Sequence, residues 1–220
     1  MVPIKTMLAH RANYGTKRGG PIEWLVMHYT SNDGDSGMSN ARYFQKALNP
    51  VASAHYFVDD REIVQSVPDE YVAFHCGAYK YRHPFCRNYN SIGIEMCDAK
   101  RDGRVMATDK TIDNAADLAA MLCEKYNIPV DHIIRHYDVT GKLCPKYWVD
   151  DPQGIVRFRN MVKERIEMVS KCKMIIDGKE IEVERILKDG TNYIKIRDIA
   201  KALDLEVSNK GNIPILSHKQ

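Results

Sequence analysis

The chain has 220 residues, 44% hydrophobic and 28% charged, with a formal net charge of +3. That length suits one sizeable domain, or one domain with a small appendage. The charge is too slight to point to nucleic acid, and no apolar run is long enough to span a membrane, so neither is expected as a partner.

In chain order, residues 1–20 are polar and glycine-containing and read as an arm leading into the first core strand, 22–29. A loop rich in Asn, Asp and Gly follows at 32–37. Ser39 is placed to cap a helix over 40–48, with Ala41, Phe44, Ala47 and Leu48 facing inward. Residues 53–58 and 62–67 read as a hairpin, 69–90 as a long irregular and therefore functional segment, and 92–97 as a buried strand. The clearest helix is 111–126, where Ile112, Ala115, Ala119, Leu122 and Tyr126 recur at the helical period before Pro129. A short strand at 132–135 delivers His136 to a loop. A last helix, 153–171, carries Ile155, Phe158, Val162, Ile166 and Val169 on one face. Alternating strands and helices predict an α/β fold with a mixed central β-sheet flanked by helices. From about residue 172 a small β-α-β module is expected, with a hairpin turning at Asp177-Gly178. This divides the chain into a catalytic domain, 1–171, and a C-terminal module, 172–220.

Six cysteines, at 76, 86, 97, 123, 144 and 172, form no CxxC pair. Buried reduced thiols are the expectation, with Cys144 the exception. The N-terminus lacks the apolar core of a secretory signal, so synthesis in a cytoplasm is expected.

Cys144 stands out because His136-Tyr-Asp-Val-Thr-Gly141-Lys-Leu-Cys144-Pro145 carries an imidazole and a thiol on one segment, with Gly141 able to fold it back. A lone His and Cys are ordinarily packing residues. His28, at the end of an apolar strand, supplies a third donor. Two imidazoles and a thiolate are the mixture that tetrahedral zinc favours, and three protein ligands leave a fourth position for a reacting water.

The chain resembles the zinc-dependent N-acetylmuramoyl-L-alanine amidases, the class that includes phage endolysins, bacterial autolysins and peptidoglycan-recognition proteins. Five segments carry the resemblance, in the family's order: Leu25-Val-Met-His28-Tyr-Thr30, Ser53-Ala-His-Tyr-Phe-Val-Asp-Asp60, Ala73-Phe-His-Cys-Gly77, Asn90-Ser-Ile-Gly-Ile-Glu95 and His136 through Pro145. It implies a Zn2+ cofactor on His28, His136 and Cys144, a peptidoglycan substrate, and hydrolysis of the amide between N-acetylmuramic acid and L-alanine by zinc-activated water. A phage or prophage endolysin, acting on the wall after release, fits the absence of a signal sequence. A recycling amidase, an autolysin and a non-catalytic muropeptide-binding protein are the alternatives. The tail then reads as wall-targeting, as self-associating, or as a packing extension.

Glu95 ends an apolar run and is either an edge-strand charge facing solvent or a proton-transferring base; the resemblance implies the latter. Lys142 is either a solvated loop lysine or the cation that holds a developing oxyanion. His75 is either an ordinary loop histidine or a substrate contact. Some relatives place a helper tyrosine near the strand that holds His55 and Tyr56. Strand alternation sends these two to opposite faces, so only one can face the metal, with Tyr56 the candidate substrate contact.

Overall fold

Leu25, Val26 and Met27, with no exposed surface, mark the centre of the main sheet. The structure is a computed structural model and describes residues 2–101, 103–167, 170–188, 191–211 and 213–218. It divides into two compact units, Met1–Arg165 and Ile166–Gln220.

The first unit opens with β1 (Ile4–Thr6), β2 (Tyr14–Lys17), β3 (Trp24–Tyr29), α1 (Gly37–Tyr43), β4 (Tyr56–Val58), β5 (Ile63–Gln65) and β6 (Tyr71–Ala73). It continues with β7 (Ser91–Met96), β8 (Asp98–Arg101), β9 (Arg104–Ala107), α2 (Asp109–Tyr126), β10 (Ile133–Arg135), α3 (His136–Thr140), α4 (Lys146–Asp150) and α5 (Gln153–Ile166). Six strands form one mixed sheet in the order β1-β5-β4-β7-β3-β10. Only the β4–β5 hairpin is antiparallel; the other neighbours run parallel. Strands buried on both faces read as continuous apolar runs, which is why β3 and β7 are legible in the sequence. Helix α1 packs on β4 and β5, and α2 on β4 and β7. Helix α5 buries Ile155, Phe158 and Val162.

Several boundaries differ from expectation. The N-terminal segment is no arm: β1 extends the sheet edge beside β5, and β2 pairs with β6. Helix α1 starts at Gly37 because Ser36 is its cap, with Ser39 closing a capping box from the third helical position. The chain leaves the helix at Phe44, and Ala47 is exposed. Thr108 caps α2 and Asn127, at φ 54°, ends it in the left-handed region. The β8–β9 hairpin and α4 have no counterpart in the sequence reading. Helix α5 is described to Ile166; Val169 lies outside the described residues.

The second unit holds β11 (Ser170–Ile176), β12 (Lys179–Lys188), β13 (Thr191–Ile194), α6 (Ile196–Ala202), β14 (Leu205–Lys210) and β15 (Ile213–His218). Asp177 and Gly178 make the β11–β12 turn, both at positive φ, 48° and 76°. Strand β14 was not foreseen; its hydrogen-bonded partner is β15. Val183 and Ala200 are buried here. Among the described residues, no helix is long and apolar enough to cross a membrane.

Candidate metal centre and active site

Parallel register aligns the site. On neighbouring parallel strands, paired residues point to the same face of the sheet. His28 of β3 pairs with Glu95 of β7. On the other side, Met27 pairs with Arg135, so His136 leaves β10 level with His28. His136 opens the short α3 rather than a loop, and Gly141, at φ 88°, ends that helix in a conformation glycine adopts without strain. The chain then folds back, and the Tyr137 amide donates to the Cys144 carbonyl at 3.0 Å. This return brings Cys144 beside the two histidines.

One donor atom each from His28, His136 and Cys144 lies within 4.8 Å of the others, and all three residues are buried. His28 Nδ1 is 3.1 Å from His136 Nδ1 and 3.8 Å from Cys144 Sγ. Burial, reinforced by the neighbouring histidines, keeps the His28 imidazole neutral, its pKa well below the ordinary value. Burial and the Lys142 charge lower His136 to about 3. Burial pushes the Cys144 thiol up to about 12, against the opposing pull of Lys142.

Glu95 faces this cluster, its Oε1 3.9 Å from His28 Nδ1 and 22% of its side chain exposed. Its Oε2 is buried and has no hydrogen-bond partner among the described residues. Burial pushes the carboxyl up to about 8, while Lys142 opposes the shift. Lys142 itself is exposed at the rim.

The remaining two predicted residues fall differently. His75 lies against His28, with its Nδ1 3.0 Å from His28 Nε2. Tyr56 is turned into the core. It is 3% exposed, and its hydroxyl donates to Asp69 Oδ1 at 2.6 Å. His55 is also committed elsewhere: its Nδ1 accepts from the Gly93 amide, and its Nε2 lies 2.6 Å from Arg18 Nη2. Neither side chain is directed to the cluster of His28, His136 and Cys144, which corrects the expectation that one of them faces it. The physical reason is that both are held by a polar network built on Arg18 and Asp69.

That network was missed in the sequence. Asp69 also accepts from Gln65, Lys125 and Tyr126. Arg18 donates to the carbonyls of Asp69, Asn88, Tyr89 and Ser91, pinning the segment before β7. The sequence offered no signal for Arg18. Gly93 offered one, because glycine inside an apolar strand marks a close approach. A cavity of about 1040 Å³ is lined in part by Tyr29, Arg104, Met106, Tyr147 and Trp148, and neither the donor trio, Glu95 nor Lys142 lines it.

Residues 18–147 match the family model described as N-acetylmuramoyl-L-alanine amidase. The chain is 34% identical over 200 residues to the N-acetylmuramoyl-L-alanine amidase CwlL of Bacillus licheniformis, covering 86% of this chain and 54% of that protein. The solution structure of the PlyG catalytic domain superposes with a TM-score of 0.61 at 29% identity, covering 74% of this chain and 94% of that one. A mutant endolysin from Bacillus subtilis gives a TM-score of 0.57 at 27% identity, over 74% and 99% of the two chains. The chain spans about half the length of the curated relatives it matches.

Proposed function

Because the chain belongs to the N-acetylmuramoyl-L-alanine amidase family, we propose that it hydrolyses the amide between N-acetylmuramic acid and the first L-alanine of the peptidoglycan stem peptide, as a zinc enzyme of endolysin type. The observation that carries the reading is the convergence of His28, His136 and Cys144 beside a carboxylate oxygen that has no partner among the described residues.

The donors fit zinc. Tetrahedral bonds of about 2.0 Å to nitrogen and 2.3 Å to sulfur set ligand atoms roughly 3.3–3.6 Å apart. The separations of 3.1 Å between the two Nδ1 atoms and 3.8 Å between His28 Nδ1 and Cys144 Sγ bracket that range. A cation between them would satisfy the His28 and His136 Nδ1 lone pairs together, and the same charge would favour the thiolate form of the buried thiol. When bound, zinc supplies Lewis acidity, polarising a carbonyl oxygen and making water more acidic.

The chain's own groups then divide the proton work. Glu95 accepts a proton from the attacking water and returns it to the leaving amide nitrogen of L-alanine. Its Oε2, which has no hydrogen-bond partner among the described residues, is open to that proton. The Lys142 ammonium faces the charge that develops on the carbonyl oxygen. Wall targeting or self-association falls to the second unit, a reading supported by its separation as a compact unit and its exposed Ile175 and Ile213.

The test pairs zinc content with release of new L-alanine amino termini from purified walls. Wild type should carry about one zinc per chain in a three-ligand site and expose new termini. Cys144→Ser should lose most of both. Zinc without cleavage on walls of several stem-peptide chemistries would sink the amidase reading; no zinc would sink the metal centre.

A further inference from the structure

A chain of hydrogen bonds runs from His28 away from the donor cluster, and its direction can be worked out from the far end. Ser91 Oγ lies 2.6 Å from the carbonyl oxygen of Arg87. A carbonyl only accepts, so the single hydroxyl proton of Ser91 is committed there. Ser91 Oγ therefore has only lone pairs left for His75 Nε2, 3.1 Å away, and His75 must carry its proton on Nε2. That leaves His75 Nδ1 as an acceptor, 3.0 Å from His28 Nε2. His28 in turn must carry its proton on Nε2, and its Nδ1 lone pair is free. That lone pair faces His136 Nδ1 and Cys144 Sγ.

We propose that His75 is a positioning residue that fixes the tautomer and ring orientation of His28, and that the Arg87 carbonyl, through Ser91, sets the polarity of the relay. His75 is thus assigned to the metal ligand rather than to the substrate. The sheet makes room for it: a Cβ added at Gly93 would lie 2.5 Å from His75 Cγ, so only glycine lets the imidazole lie against β7 at this point. The two rings meet edge to face, with centroids 5.2 Å apart, which fixes the angle as well as the distance. Ligating histidines whose second nitrogen is held this way bind metal more tightly, because the ring need not be reoriented or its proton moved.

This inference rests on the three-ligand zinc reading, and the experiment separates the two. Zinc affinity of the full chain is measured by competition with a chromophoric chelator, alongside the melting temperature of the chelator-stripped protein. His75→Leu removes the acceptor and should weaken zinc binding by about 10–100-fold. His75→Asn places an amide oxygen near the position of Nδ1 and should recover most of that loss. A merely structural role predicts no such rescue. Ser91→Ala removes only the hydroxyl that sets the polarity and should shift affinity in the same direction by less. Equal affinity in wild type and His75→Leu, or no recovery in His75→Asn, overturns the relay while leaving the zinc site standing. Should His75→Leu fail to fold, unchanged affinity in Ser91→Ala overturns it instead. A wild-type chain that binds no zinc overturns the metal reading, and the relay with it.

Discussion

Tyr56→Phe separates a substrate contact from a core hydrogen bond. The substitution removes one oxygen. In the native chain that oxygen donates to Asp69 Oδ1 at 2.6 Å and accepts from Gln65 Nε2 at 3.0 Å. After the change, Asp69 still accepts from Gln65 at 3.2 Å, Lys125 at 3.0 Å and Tyr126 at 2.6 Å, so its carboxylate is not stranded. The loss is one buried, charge-assisted bond, of the class that contributes about 1.5–3 kcal/mol; with Asp69 still satisfied, about 2 kcal/mol is the expected cost. For a domain of this size that corresponds to a melting shift of roughly 4–8 °C. The chain has two tryptophans, Trp24 and Trp148, both in the first unit, so tryptophan fluorescence in urea follows that unit alone. Zinc content and wall hydrolysis per folded molecule should match wild type. An unchanged urea midpoint with a raised KM would refute the assignment and return Tyr56 to the substrate.

Glu95→Gln should keep its zinc yet lose about 10²–10⁴-fold in wall hydrolysis, measured under saturating metal. Loss of zinc with activity would make Glu95 a ligand instead. Arg18→Lys should destabilise the first unit by about 2 kcal/mol, because a point ammonium cannot serve the Asp69, Asn88, Tyr89 and Ser91 carbonyls that the guanidinium spans; equal urea midpoints would contradict this. Asp98 gives a pH dependence in the chelator-treated chain. Burial raises its folded pKa from 3.8 to about 7, so the stability it confers is complete below pH 4 and lost as the pH rises through 7. Asp98→Asn should flatten the decline in unfolding free energy over that window, and an unaltered slope would assign it to other groups.

The parts legible in the sequence share one physical property: their signal is local. Strand β3 reads as a strand because every side chain from Trp24 to His28 is buried, and α2 reads as a helix because its apolar residues recur at one period. The donor trio was legible because His136 and Cys144 share a segment, and His28 ends a recognisable strand. What escaped depends on register or on distant partners. Ser36 rather than Ser39 caps α1 because either serine satisfies a helix start, and only the contact of the Gly37 amide with buried Asp59 selects one. Arg18 reads as an arm residue, since four carbonyls scattered from Asp69 to Ser91 give it no sequence neighbour. His55 and Tyr56 are neighbours in sequence, and alternation alone cannot reveal that Arg18 holds one and Asp69 the other.

The sheet orders the site by the same logic that orders its core. Parallel strands carry residues level with one another, so β7, β3 and the end of β10 deliver a carboxylate and two imidazoles in one row: Glu95, His28, His136. Such a row places the rings but leaves each imidazole free to choose which nitrogen holds its proton. That second choice falls to the segment that the sequence marks only as long and irregular. Its start supplies His75 and its end supplies Arg87, and Arg18 holds the carbonyls of Tyr89 and Ser91 where this segment enters β7, the strand that Gly93 keeps open. Sheet register fixes position to within a strand spacing; the relay then fixes chemistry at one atom. A change that spares the first and spoils the second, as Ser91→Ala does, should leave a folded chain with a blunted affinity for metal.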